Sequence, residues 1–285
     1  MKPGALVFLF FIISCFTVLS QQQAPKPVKL NAISSNLYEV IDGRGAKGGI
    51  YIGDNGVMVI DTKQDENSVK QTLEELAKIT DKPIKFIVNT HSDGDHVTGN
   101  RFFPSNITIV SHENCRKEFL LPKRDGSPSD WAGTDLFKFV PSVTFENDMT
   151  LYLGTKRVEL SYFGIGHTTG DAVVYFPEEK VAFIGDQVFV GRVQLIHAYK
   201  GGNSFEHVKT LKKMLEKVNA EKFYTGHSVV LSRDDINKHI GLMTELQQKV
   251  KSLIADNNTI DQITSEFEAG QKALVEIIYS EIKKQ

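Results

Sequence analysis

The stretch Thr90 to Asn100, THSDGDHVTGN, places His91, Asp93, Asp95 and His96 within six consecutive positions, directly after the apolar run Phe86-Ile87-Val88. A strand that ends in such a cluster presents imidazole nitrogens and carboxylate oxygens at one sheet end, the donor set that holds divalent metal ions. Alone, the stretch also has a lesser reading as a polar loop, because short motifs recur by chance. Three later places bear on the choice. His167 and His227 each follow a glycine just beyond a β-like run, and Asp186 follows Gly185 at another strand end. Short turns of this kind can aim all three side chains at one spot. Singly, each histidine is as readily an ordinary hydrogen-bonded residue. The joint arrangement points to metal.

The elements that must position these residues are legible in outline. Leu37–Val40, Gly48–Gly53 and Gly56–Asp61 read as hairpin-connected strands separated by glycine and Asn-Gly turn signals. Asp65 to Ile79 has helical apolar spacing at Val69, Leu73, Leu76 and Ile79, with Pro83 beyond its end. After the cluster, Thr98–Phe103 opens a helix, Ile107–Ser111 returns to β, and Glu113–Leu121 is helical. Pro122–Pro141, rich in Gly, Pro, Ser and Asp around the single Trp131, reads as a mobile loop over a site or as a plain surface excursion. Val143–Phe163, Ala172–Phe176, Val181–Asp186 and Lys222–Thr225 are β. Phe205–Val218, Asp234–Ala255 and Thr259–Lys283 are expected helices. No repeat or linker divides the chain, so residues 30–285 are expected to form one domain.

The 285 residues carry a formal net charge of -2 and no basic tract, which argues against nucleic acid as a partner. Lys2 precedes the apolar run Ala5 to Leu19, and Val18-Leu19-Ser20 offers small-residue cleavage positions. Residues 1–20 therefore read as a secretory signal peptide and 21–29 as a polar, disordered leader, giving a periplasmic or secreted protein with no membrane attachment after cleavage. A signal anchor needs a longer run, of about 20 residues. A lipoprotein signal at Ile12-Ile13-Ser14-Cys15 is the other alternative, disfavoured by the greasy mature start it would leave. Cleavage leaves Cys115 as the sole thiol, so no internal disulfide is expected, and Cys115 reads as a small buried hydrophobe.

His91-x-Asp93-x-Asp95-His96, Gly166-His167-Thr168, Gly185-Asp186 and Gly226-His227 together resemble the metallo-β-lactamase superfamily over about Leu30 to Ile254. The resemblance implies an αβ/βα sandwich, two mixed sheets flanked by helices, with the site at one edge. It also implies two divalent ions, zinc foremost. His91, Asp93 and His167 would hold the first, Asp95, His96 and His227 the second, and Asp186 would bridge them. Asp61 would support the surrounding shell, while His112, His197, His207 and His239 fall outside the motif as structural or solvated residues.

Asp93 departs from the pattern, since most of the family has histidine there. An aspartate oxygen has a similar reach, but the added carboxylate makes the centre one unit less positive and better suited to iron or manganese. A carboxylate at this place, with eighteen residues between His167 and Asp186, also resembles the flavodiiron branch, although nothing after His227 offers its flavodoxin-type domain. The expected chemistry is hydrolysis of an ester, lactone or lactam carbonyl in a small-molecule substrate by a metal-bridging hydroxide. Asp95 and Asp186 would be the catalytic carboxylates, with Asp95 orienting the hydroxide and relaying its proton. Asp186, where several β-lactamases place Cys or Ser, directs the expectation towards esters and lactones. A di-iron redox protein and a binding protein with a degraded site stand as alternatives. Oligomeric state is left open.

Overall fold

The computed structural model describes residues 25–123 and 125–284. The signal sequence expected over residues 1–20 and the start of the leader lie outside the described residues. The rest of that leader is not disordered as expected. Gly43 donates to the Lys26 carbonyl, Val28 is buried, and its amide donates to Gln71 Oε1, so the folded unit begins before Leu30.

Hairpins build the first sheet from β1 (Lys29–Ala32), β2 (Leu37–Ile41), β3 (Gly48–Ile52) and β4 (Val57–Ile60). Beyond β4 the pairing turns parallel. Helix α1 (Glu66–Ala77), capped by Asp65 on the Ser68 amide, carries the chain over to β5 (Ile84–Val88). A helical turn α2 (Gly94–Val97) and a 3-10 turn over Thr98–Phe102 precede β6 (Thr108–His112). Helix α3 (Glu113–Phe119) and the short α4 (Thr134–Phe137) then lead to β7 (Val143–Phe145). The first sheet thus runs β1 to β7 in chain order. The second sheet comprises β8 (Asp148–Leu153), β9 (Lys156–Tyr162), β10 (Ala172–Phe176), β11 (Val181–Phe183) and β12 (Lys222–Tyr224). Its order is β12-β11-β10-β9-β8, with only β11 and β12 parallel. Helices α5 (Ser204–Lys217), α6 (Arg233–Ala255), α7 (Ile260–Ser265) and α8 (Lys272–Lys283) complete the chain.

Strand alternation decides the layering, because successive side chains leave a sheet on opposite faces. Met58 and Ile60 face inward and meet Val174, Phe176 and Phe183 of the other sheet in one buried cluster. Their neighbours Val57 and Val59 face outward onto α1 at Val69 and Leu76. Val173 and Tyr175 likewise point out onto Leu211, Ile236, Ile240 and Val275 of the late helices. The result is helix, sheet, sheet, helix, the sandwich expected from the sequence. Each fully buried side chain of this kind contributes about 1.5–3 kcal/mol.

Two stretches differ from expectation. Residues 259–283 are not one helix: the Thr259–Gln262 capping box starts α7, the chain leaves helix near Glu266, Phe267 packs on the core, and α8 begins after Gly270. Residues 122–141 are not a structureless lid. They hold a 3-10 turn over Asp130–Ala132, capped by Ser129, and α4, while Trp131 packs edge-on against Phe119 at 5.1 Å. Among the described residues no helix is long and apolar enough to cross a membrane.

Candidate metal centre

Six chain segments converge at one end of the two sheets. β4 ends in Asp61, β5 runs into His91 and Asp93, and α2 carries Asp95 and His96. The turn between β9 and β10 holds His167, β11 leads to Asp186, and β12 leads to His227. The helical turn at α2 sends Asp95 and His96 in a different direction from His91 and Asp93, so the four residues divide between two donor groups. Gly226 is pressed onto the cluster: a Cβ there would lie 2.4 Å from both Asp186 Oδ1 and His96 Cε1.

All seven expected ligand residues are brought together, in two groups. Donor atoms of His91, Asp93, His167 and Asp186 lie within 4.8 Å of one another, as do those of Asp95, His96 and His227. Asp186 also reaches into the second group. Its Oδ1 is 3.2 Å from His96 Nε2, and its Oδ2 is 3.4 Å from His227 Nε2 and 4.0 Å from His91 Nε2. In the first group His91 Nε2 is 3.5 Å, and His167 Nε2 3.0 Å, from Asp93 Oδ2. In the second His227 Nε2 is 2.8 Å from Asp95 Oδ2.

Two donors on one tetrahedral ion, each at ~2.0–2.1 Å, stand roughly 3.3 Å apart, a value inside the 2.8–4.0 Å range of the separations above. His91 Nε2, His96 Nε2 and Asp186 Oδ1 are buried without a hydrogen-bond partner, a state that native proteins avoid unless something else satisfies the atoms. These residues fit a metal centre.

The far ring nitrogens are held in place. His96 Nδ1 is 2.7 Å from Asp61 Oδ2, His91 Nδ1 is 3.0 Å from Thr90 Oγ1, and His167 Nδ1 is 2.9 Å from the Leu195 carbonyl. Thr90 donates to Asp61 from its amide and hydroxyl, at 2.9 and 2.8 Å. Asp61 therefore supports the shell, as the sequence indicated. The His167 turn is fixed by Thr168, which donates to Asp171 from backbone and side chain.

Charge is balanced within the cluster. Burial opposes a proton on His96, but Asp186 and Asp61 outweigh it and raise its pKa. Burial likewise opposes His167, whose pKa the Asp93 carboxylate nevertheless raises to about 9. Against their own burial, Asp93 and Asp186 are held well below the usual carboxylate range by the surrounding imidazoles. Cations could thus take the place of these protons among ionised carboxylates.

Of the histidines outside the motif, three are structural as expected. His112 stacks on Tyr162 at 3.7 Å, and buried His207 and His239 face each other at 3.2 Å between Nε2 atoms. His197 overturns the expectation: its Nε2 lies 2.8 Å from Asp93 Oδ2. Lys200, which the motif reading missed, has its ammonium 2.6 Å from Asp93 Oδ1 and 2.7 Å from Ser92 Oγ. The nearest signal in the sequence is the Gly201-Gly202 pair beside them. Gly201 has φ +85°, and a Cβ at Gly202 would sit 2.3 Å from the His167 carbonyl, so this turn is moulded onto a candidate ligand. A cavity of about 440 Å³ adjoins this side, bounded by Ser92, Gly94, Phe119, Trp131, Tyr199 and Lys200. Cys115 is fully buried, and burial pushes its thiol pKa up, away from nucleophilic use.

Comparison with known proteins agrees with the geometry. The family model described as the metallo-beta-lactamase superfamily matches residues 49–227. A metallo-beta-lactamase type 2 from Elizabethkingia meningoseptica is 25% identical over 239 residues, covering 81% of this chain and 90% of the relative. The 2,4-dinitroanisole O-demethylase subunit alpha from Nocardioides sp. (strain JS1661) is 30% identical over 144 residues, 49% of this chain and 40% of the relative. Among solved structures, a metallo-beta-lactamase from Pontibacter korlensis superposes with a TM-score of 0.63 at 20% identity, over 76% of this chain and 99% of its own.

Proposed function

The chain belongs to the metallo-β-lactamase superfamily, and on that premise we propose that it is an exported, metal-dependent hydrolase of a small ester, lactone or lactam. The observation that carries this reading is the convergence of both donor groups on Asp186, whose two oxygens face histidines of each. His91, Asp93 and His167 would hold one divalent ion and Asp95, His96 and His227 the other, with Asp186 between. Zinc is the foremost candidate, with iron or manganese favoured by the extra carboxylate. When bound, such ions supply a water-derived nucleophile at neutral pH and polarise the scissile carbonyl.

The chain's own residues do the rest. Thr90, Asp61 and the Leu195 carbonyl fix the rings of His91, His96 and His167, so the Nε2 atoms stay aimed at the centre without reorganisation. Asp95 and His227 are the exposed members, at 31% and 27% of side-chain surface, so substrate meets the centre there. Asp95 would orient water and pass a proton outward through its carboxylate. The polar amino-terminal charge and apolar run support export, which favours lactams, lactones and other small extracellular esters over intracellular substrates.

Metal analysis of purified protein, with a chromogenic panel of ester, lactone, phosphodiester and cephalosporin substrates under added zinc, manganese or iron, tests the reading. Two ions per chain and turnover that His96→Ala and Asp186→Ala abolish are expected. A chain without metal, or turnover unchanged in either variant, refutes it.

A further inference from the structure

Asp93 is where the leading motif departs from the family, and the structure answers the departure with a cation from far along the chain. Lys200 sits on the turn that follows His197, and that turn is tied to a candidate ligand by its backbone. His197 donates its amide to the His167 carbonyl at 2.8 Å, and Lys200 and Gly202 both donate to the His197 carbonyl. Gly202 has no room for a side chain against His167. The lysine stem is therefore delivered along a defined path, and the side chain is only 11% exposed.

Both oxygens of Asp93 are apportioned. Oδ1 accepts from the Lys200 ammonium, which also contacts Ser92 Oγ, while Ser92 in turn donates to Glu118. Oδ2 faces His91, His167 and His197. Two of the three ammonium donors are thus engaged inside the site, on Asp93 and Ser92.

We propose that Lys200 is a fixed counter-cation for Asp93. It confines that carboxylate to one available oxygen, Oδ2, and returns to the centre the unit of positive charge that aspartate in place of histidine removes. Lys200 is a positioning residue that acts through Asp93. The inference rests on Asp93 being a metal ligand. Its physical core is that a buried ammonium is tolerated only while residue 93 is an anion, so the two positions are coupled.

A double-mutant cycle tests this with the full chain. Wild type, Asp93→His, Lys200→Met and the double variant are titrated with zinc under chelator competition and melted after metal stripping. Asp93→His, which restores the common family motif, is expected to weaken zinc at the first group by about tenfold or more and to lower the melting temperature of the stripped chain. Adding Lys200→Met to Asp93→His recovers both, whereas Lys200→Met alone lowers the stripped melting temperature. Asp93→Asn, close to isosteric, serves if Asp93→His does not fold, with the same direction and the same rescue. Additive effects, or full zinc affinity in Asp93→His with Lys200 still present, overturn the proposal. If wild type takes up none of zinc, manganese or iron, the hydrolase reading fails, and the melting cycle on stripped chains still decides the pairing.

Discussion

Asp61 holds a left-handed backbone conformation, φ +54°, in order to turn its carboxylate onto Thr90 and His96. A non-glycine residue kept there costs about 1–3 kcal/mol, which persists where the surroundings over-determine it. Here three donors do so: the Thr90 amide, the Thr90 hydroxyl and His96 Nδ1. Asp61→Asn weakens the orienting contact while keeping the shape, and metal affinity should fall ~10–100-fold by chelator competition. Unchanged affinity would show that His96 needs no such support. At this scale the sequence is legible where relations are local or conserved in spacing: His91, Asp93, Asp95 and His96 announce themselves within one loop. His197 and Lys200 do not, because they meet Asp93 across 104 and 107 residues of chain, and no local pattern reports which way a lysine on a distant turn will point.

Among elements, the turn from Ile196 to Gly202 bears most on the site, although it has little regular structure of its own. Its His197 amide donates to the His167 carbonyl, the Asn203 amide just beyond it donates to that of Gly166, and Gly202 lets the two backbones touch. Gly202→Ala forces a Cβ into the His167 carbonyl and should displace that histidine. We expect a loss of roughly 1–3 kcal/mol of stability, the scale of overpacking in a filled site, with impaired metal binding alongside it. A Gly202→Ala chain that melts and binds metal as wild type does would count against the tight fit. Alternating strands and the amphipathic α1, α5 and α6 could be read from periodicity. The break between α7 and α8 could not, because apolar spacing continues through it and Phe267 finds its partner only in the assembled core.

In the whole molecule, the late helices α5 and α6 bury two histidines, His207 and His239, that are not among the candidate ligands. Burial lowers the pKa of His239 to about 4, and burial with the neighbouring His239 keeps His207 well below its ordinary value. Both are neutral in the folded chain, whereas an unfolded chain protonates them as pH falls through about 6.5. Stability from this pair is thus complete above that pH and is lost progressively as the solution is acidified towards pH 4. For His239 alone the loss amounts to roughly 3 kcal/mol at most. Melting temperatures between pH 7 and pH 4.5 should fall less steeply in His239→Gln than in wild type, and parallel curves would assign the acid sensitivity elsewhere.

Burial is also unequal around the candidate centre itself. His91, His96, His167 and Asp186 are sealed off, and only Asp95 and His227 show substantial surface. On the proposed hydrolytic reading, reactant, water and departing product would each pass these two exposed residues. Bulk appended to a substrate would then be tolerated where it trails back out past Asp95 and His227, and selectivity for size would be set on that threshold.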